Sequence, residues 1–262
     1  MIRLAANLSF LFAELPLSQR FAAAARAGFG AVEWNFAYDT PTAELSALLH
    51  EHRLDLVLIN TPPGDLAAGD LGLAVLAGRE AEAEVAFQQA LDQAVALGAR
   101  NIHYMAGQRP PDRSLDAADA IFLANLRRDA DRAAQVGVTL TVEPLNPRDR
   151  PRYHIVGVDH AVRLIRAAAR PNIGLQFDLY HCQITGGDLI RTLERHIELI
   201  AHVQIAGVPD RGEPSDGEVA YGRVLSRLDA LGYGGFVGCE YAPRRDTLSG
   251  LAWAAPYLAA GI

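Results

Sequence analysis

Short apolar runs recur along this chain, and amphipathic stretches of helical period lie between them. Eight runs have the length and alternation of strands: Ile2–Asn7, Ala31–Phe36, Leu54–Asn60, Arg100–Met105, Val138–Glu143, Asn172–Asp178, Ala201–Ile205 and Phe236–Glu240. Between them the pattern predicts helices over Leu17–Ala27, with Gly28 as the stop, and up to His52, with Thr40 as N-cap and Pro41 in the first turn. Further helices are expected over Arg79–Leu97, ended by Gly98, and over Ser114–Gln135, Asp159–Ala169 and Asp188–Ile200. One more precedes the eighth strand, and another closes the chain. Strands alternating with helices predict a parallel sheet covered by helices. Eight such units without a linker or charge block predict a single-domain (β/α)8 TIM barrel over residues 1–262, since that fold typically needs about 250 residues. An open doubly wound sheet is the alternative, but no G-x-G-x-x-G follows the first strand.

Strand phase locates a candidate site. In the fifth strand Thr139, Thr141 and Glu143 oppose Val138, Leu140 and Val142; in the sixth, Gly174, Gln176 and Asp178 oppose Ile173, Leu175 and Phe177. His202 and Gln204 oppose Val203 and Ile205, and Phe236, Gly238 and Glu240 oppose Val237 and Cys239. The wholly apolar set should pack against the helices, so the small and polar set should point into the barrel. Barrel active sites form at the C-terminal strand ends, which brings Glu143, Asp178, Gln204 and Glu240 together. Three carboxylates in one small volume need neutralising, and a divalent cation is the simplest remedy. Oxygen donors suit Mg²⁺ or Mn²⁺ better than Zn²⁺. The alternative pairs each acid with a mouth arginine or a helix cap. Residues 61–78 are rich in Gly and Pro and long for a connection, so they are expected to act as a lid.

Composition narrows the chemistry. The sequence contains no lysine: all 24 basic residues are arginines. That excludes Schiff-base aldolase chemistry, covalent pyridoxal phosphate attachment and a Walker A loop. A net charge of −7 argues against nucleic acid or an anionic membrane as partner. The two cysteines, Cys182 and Cys239, form no CxxC, which fits a reducing compartment without a structural disulfide. No targeting segment is readable, and a cytoplasmic protein is expected. Homo-oligomerisation is left open.

Several motifs together carry a family likeness. V-E-P-L-N, F-D-L-Y-H, H-V-Q-I and G-C-E-Y, with N-L-S near the start, P-G-D-L-A-A-G, G-R-E and R-G-E-P, resemble the hydroxypyruvate isomerase family of xylose-isomerase-like TIM barrels. The resemblance runs from about Asn7 to Trp253. It implies that Glu143, Asp178, Gln204 and Glu240 bind the metal, that Glu143 and Glu240 also move protons, and that His181, Arg211 and Asp149 contact substrate. Plainer roles stand beside these: His181 as a helix cap, Arg211 and Glu213 as a solvated pair, and Asp149 as an ion-pair partner of Arg148, Arg150 or Arg152. Asn7, Asn60 and His103 end strands too, with only position to support them.

The implied reaction interconverts hydroxypyruvate and tartronate semialdehyde by proton transfer between two glutamates through a metal-bound cis-enediolate, with no organic cofactor. Two departures bear on the substrate: Leu71 stands where the family often has arginine, and Gly207 where aspartate is common. The alternatives are an isomerase or epimerase of a longer ketoacid or free ketose, such as 2-oxotetronate, and a non-catalytic barrel that binds a sugar acid. A DNA-repair nuclease on the same fold would need a histidine zinc cluster, and His154, His160 and His196 lie in loops or helices rather than at strand ends.

Overall fold

The computed structural model describes residues 1–258; residues 259–262, the end of the expected single domain, lie outside the described residues. Eight parallel strands close in sequence order: β1 Arg3–Asn7, β2 Ala31–Trp34, β3 Asp55–Asn60, β4 Asn101–His103, β5 Thr139–Val142, β6 Ile173–Asp178, β7 Ile200–Ile205 and β8 Phe236–Cys239. β8 pairs back onto β1 through Arg3–Phe236 to Ala6–Cys239, so no sheet edge is left open. The expected barrel is the fold. The surrounding helices are α1 Leu17–Arg26, α2 Thr42–His52, α3 Glu80–Leu97, α4 Leu115–Ala134, α5 Val158–Ala168, α6 Leu179–Thr185, α7 Leu189–His196 and α8 Tyr221–Ala230.

The local signals account for most of these boundaries. Ser114 caps α4 by accepting from the Ala117 N–H, and Gly98 takes the left-handed conformation that ends α3. Three expectations need correction. Pro41, not Thr40, occupies the N-cap of α2, and no side chain caps that helix. The stretch expected as one helix from Asp188 to Ile200 is α7 followed by a 3₁₀ turn at Ile197–Leu199, because Ile200 already belongs to β7. At the C-terminus, Leu248–Tyr257 forms 3₁₀ turns containing Pro256, which cannot donate to an α-helical ladder. One helix, α6, escaped the hydrophobic pattern: Asp178 caps it directly off the strand.

Strand phase divides the molecule as expected. Leu140, Val142, Leu175, Phe177, Val203, Ile205, Val237 and Cys239 join the large core between sheet and helices. Among the described residues, Ala5, Ala31 and Val57, with Phe236 packed against them, form a small apolar plug inside the barrel. Above the plug the interior is polar, holding Asn7, Glu33, His103, Thr141, Gln176, His202 and Gln204, all buried. Gly238 is what leaves room there, since a Cβ on it would overlap the Glu33 carboxylate. Gly238→Ala is therefore expected to cost about 1–3 kcal/mol by overpacking, read as a lower midpoint in urea. Gly30→Ala, whose Cβ would meet nothing within 4 Å, should leave the midpoint within experimental error or raise it.

Candidate active site

The ends of β5, β6, β7 and β8 each deliver one expected side chain to the barrel mouth. Glu143 and Glu240 directly follow the last residues of β5 and β8, Asp178 ends β6, and Gln204 is next to last in β7. All four are buried. A buried carboxylate must find hydrogen bonds or a cation, and the bonds here are only partial. Gln176 Nε2 donates to Glu143 Oε2 at 3.1 Å, while Glu143 Oε1 has no hydrogen-bond partner. Asp178 Oδ1 accepts from the Tyr180 N–H at 2.8 Å as the cap of α6, while its Oδ2 has none. Asn35 Nδ2 donates to Glu240 Oε1 at 2.8 Å, and Arg211 Nη2 to Glu240 Oε2 at 3.1 Å. Cap and mouth group thus coexist in Asp178, one oxygen for each.

Arg211 is the one cation among these acids. Its Nη2 lies 3.1 Å from Glu240 and 3.7 Å from Asp178. The guanidinium sits between the rings of Phe10 and Tyr180, at 5.2 and 5.1 Å. The residue is held at φ 55°, a strained conformation for a side chain other than glycine. The loop that carries it is tight for a reason legible at Gly207: a Cβ there would stand 2.5 Å from the Glu213 carbonyl. A side chain therefore has no space at this position. Glu213 does not pair with Arg211; it is buried and accepts from the Arg244 N–H at 3.0 Å.

His181 belongs to the first turn of α6 and is buried at the mouth, so it is not the cap. The Asn146 backbone N–H donates to its Nδ1 at 3.1 Å. Burial, and then the nearby Arg211, hold the ring neutral by lowering its affinity for a second proton. A neutral ring that accepts at Nδ1 carries its proton on Nε2. That atom lies 3.6 Å from Asp178 Oδ2 and 3.9 Å from Glu143 Oε1, the same two unpartnered oxygens. His181 is thus set up to donate into the mouth. Asp149 supports the same loop and forms no arginine pair through its side chain: its Oδ2 accepts from Tyr180 Oη at 2.9 Å and Asn146 Nδ2 at 3.1 Å.

Gln204 is more constrained than its expected role implies. Its Oε1 accepts from Gln176 at 2.7 Å and its Nε2 donates to Glu33 Oε2 at 3.0 Å. Glu33 also meets His202 and accepts from Asn7 Nδ2 at 3.1 Å. A chain of amides and carboxylates therefore runs from Glu33 through Gln204 and Gln176 to Glu143. Glu33, Asn35, Gln176 and Asn146 were not among the expected site residues. Glu33 had the same signal as the others, a lone acid in an apolar strand. Asn35 follows the end of β2, and Asn146 lies in the loop after β5, outside any periodic pattern. His103, placed by position alone, reaches 3.2 Å from Glu143, and its ring is pushed down to about 3 by burial and by His202.

The acids hold protons more tightly than usual. Burial raises Glu143 well above the ordinary carboxylate range, and Glu240 and Asp178 add to this. Burial pushes Asp178 up to about 7 and raises Glu240 as well. Atoms of Glu143, Asp178 and His181 lie within 4.8 Å of one another. Two unpartnered buried oxygens side by side, with raised proton affinity, are a donor set that fits a divalent cation. Both cysteines are free and buried, and burial raises both thiols. No helix among the described residues is long and apolar enough to cross a membrane.

The lid expected over residues 61–78 is pinned at its base. Gly72 bridges to Ala106, the Val75 N–H donates to Ala106 at 2.9 Å, and Asp70 pairs with Arg79 at 2.9 Å. The tip, residues 64–68, is exposed throughout, as are residues 77–78 just before α3. Leu71 is partly buried against the core.

The chain is 46% identical to a 2-oxo-tetronate isomerase of Cupriavidus necator, over 98% of this chain and 99% of the other. It is 38% identical to the hydroxypyruvate isomerase of Escherichia coli, over 98% and 100%. A crystal structure from Brucella melitensis, described as an AP endonuclease of family 2, superposes with a TM-score of 0.97 at 47% identity, covering 99% and 100% of the two chains. Residues 21–257 match the xylose isomerase-like TIM barrel family. By that match and by identity over nearly its whole length, the chain belongs to the xylose isomerase-like TIM barrel family.

Proposed function

We propose that the protein is an isomerase of small ketoacids, and that it interconverts hydroxypyruvate and tartronate semialdehyde. The observation that carries this reading is the pair of buried glutamates. Glu143 and Glu240 each have one oxygen held by a carboxamide and the other turned to the mouth, with Arg211 bonded to Glu240. A carbonyl moves to the neighbouring carbon when one base removes a carbon-bound proton and another acid returns a proton next door. In hydroxypyruvate the proton leaves C3, the C2–C3 enediolate forms, and a proton is returned at C2. Burial gives both glutamates the raised proton affinity that such shuttling needs near neutral pH.

The remaining residues orient and stabilise. His181 donates its Nε2–H to an oxygen of the reacting pair, its tautomer fixed by Asn146. Arg211 offers a guanidinium to a substrate oxygen or carboxylate, and Asp149 keeps Tyr180 and Asn146 in place around them. A divalent ion, Mg²⁺ or Mn²⁺, held by Glu143 and Asp178, with Gln204 and Glu240 completing the set, would supply fixed positive charge against the developing enediolate. Closure of the 64–68 tip would keep water from the intermediate.

A second substrate, 2-oxo-tetronate, is favoured by one specific pair of observations: the 46% identity to the Cupriavidus enzyme and the apolar Leu71 in the loop after β3. The test is kcat/KM on hydroxypyruvate against 2-oxo-tetronate, with Mg²⁺ or Mn²⁺ present. A clear preference for 2-oxo-tetronate replaces the hydroxypyruvate assignment. No turnover of either, and no exchange of carbon-bound hydrogen with D₂O, would sink the isomerase reading. The nuclease description of the Brucella structure finds less support here, because the mouth has two histidines, His103 and His181, rather than a larger zinc cluster.

Ion binding should be linked to pH in a definite direction. A carboxyl whose affinity for protons is raised on folding contributes full stability below its unfolded pKa and loses that contribution as pH rises through the folded value. For Asp178 the window runs from about 3.9 to about 7. A divalent ion replaces those protons, so the gain in Tm on adding Mn²⁺ is expected to be larger at about pH 8 than at about pH 6. Equal gains at both would show that the ion binds elsewhere.

A further inference from the structure

Outside the strand ring, Asp119 of α4, His154 of the loop after β5 and His160 of α5 converge. Donor atoms of the three lie within 4.8 Å of one another. Asp119 and His154 are buried, and the His160 side chain is 11% exposed. Asp119 Oδ2 is taken by Arg163 Nη1 at 2.7 Å, which leaves Oδ1 to face both imidazoles. His160 Nε2 hydrogen-bonds Oδ1 at 2.8 Å. His154 behaves differently. Its Nε2 lies 3.0 Å from Oδ1 yet makes no hydrogen bond, and neither buried nitrogen of the ring has a partner.

A buried, unpartnered imidazole is costly. Its position beside a carboxylate, but off the hydrogen-bond direction, is what a shared ligand produces: in a metal site the donor axes converge on the ion and not on one another. Two ligand atoms at 2.0–2.1 Å from a tetrahedral centre stand roughly 3.3 Å apart, close to the 3.0 Å between His154 Nε2 and Asp119 Oδ1; the His160 hydrogen bond to the same oxygen would give way to the ion. We propose that Asp119, His154 and His160 form a second cation site that takes Zn²⁺, or a neighbouring first-row transition ion, with water as the fourth ligand. Two imidazoles and one carboxylate favour that class of ion over Mg²⁺. A cleft of about 690 Å³, lined in part by Arg109, Arg152, His154 and His160, provides the entry path and room for the water.

The site braces the loop that serves the mouth. His154 lies in the same connection as Asn146 and Asp149, and its backbone N–H already bonds Gly107 at 2.9 Å. Joining it through an ion to α4 and α5 fixes the far end of that loop.

The test uses the chelator-stripped full chain and Co²⁺ as a visible probe of four-coordinate binding, followed by Zn²⁺ displacement. The wild type and Glu143→Gln should both develop the intense d–d absorption of a tetrahedral centre, with the amplitude of one four-coordinate ion per chain, and Zn²⁺ should erase it. His154→Gln and His160→Gln should both lose it, with far-UV circular dichroism unchanged. If His154→Gln fails to fold, the less buried His160→Gln decides the matter alone. Absence of the band in the wild type, its persistence in His160→Gln, or its loss in Glu143→Gln alone overturns the proposal.

Discussion

Glu143→Gln and Glu240→Gln should each lower kcat by roughly 10²–10⁴-fold, the range that a positioned general acid or base contributes. The substitution is nearly isosteric. Gln176 can still donate to an oxygen at position 143, and Asn35 to one at position 240, so the fold should be kept and Tm should change little. The two variants should also differ from each other. If one glutamate removes the C3 proton and the other returns a proton at C2, one variant should still exchange the C3 hydrogen of hydroxypyruvate with D₂O while making almost no product. The other should lose both. Proton NMR in D₂O reads exchange and turnover in one experiment, and identifies the carbon served by each glutamate. Wild-type turnover in either variant would end the two-base scheme.

Removal of divalent ions is the second large effect. Exhaustive chelation should abolish turnover, and Mg²⁺ or Mn²⁺ should restore it. The reason lies in the charges at the mouth. Glu143, Asp178 and Glu240 have a single arginine between them, and burial makes their ionised forms costly. Asp178 holds one free oxygen toward the mouth and spends the other on α6. Losing an outer partner of a metal ligand already costs roughly 10–100-fold in affinity. Asp178→Asn should therefore raise the ion concentration for half-restoration by at least that factor, with the helix cap retained through the remaining oxygen. Full activity after verified ion removal would contradict the proposed cation.

Much of the site was legible in strand phase. A side chain at every second position points to the same face, so Glu143, Asp178, Gln204 and Glu240 had to point inward once the apolar set was given to the helices. The same logic reaches Glu33, although it lies inside a run rather than at its end. It could not reach Asn35, Asn146 or the position of Arg211. Those residues lie on loops, where no period applies and the chain path is set by contacts such as Gly207 against Glu213. The shape of α6 was hidden for another reason. Seven residues are too few for a helical period to emerge, and the cap that starts it is a residue already counted as a strand end.

Alternation and spacing by themselves pointed to eight β–α units and to the four side chains at the mouth, because an apolar face given to the helices leaves each strand only one inward face; closure of β8 onto β1 came from the tertiary structure. The absence of lysine removed whole classes of chemistry without any coordinates. Tertiary structure alone decided how each carboxylate spends its two oxygens, which nitrogen of His181 carries the proton, and that Gln204 is held between Glu33 and Gln176. It also brought Asp119, His154 and His160 together from two helices and a loop. Hydrogen-bond direction and the meeting of distant loops depend on the packed chain, and no local pattern encodes them.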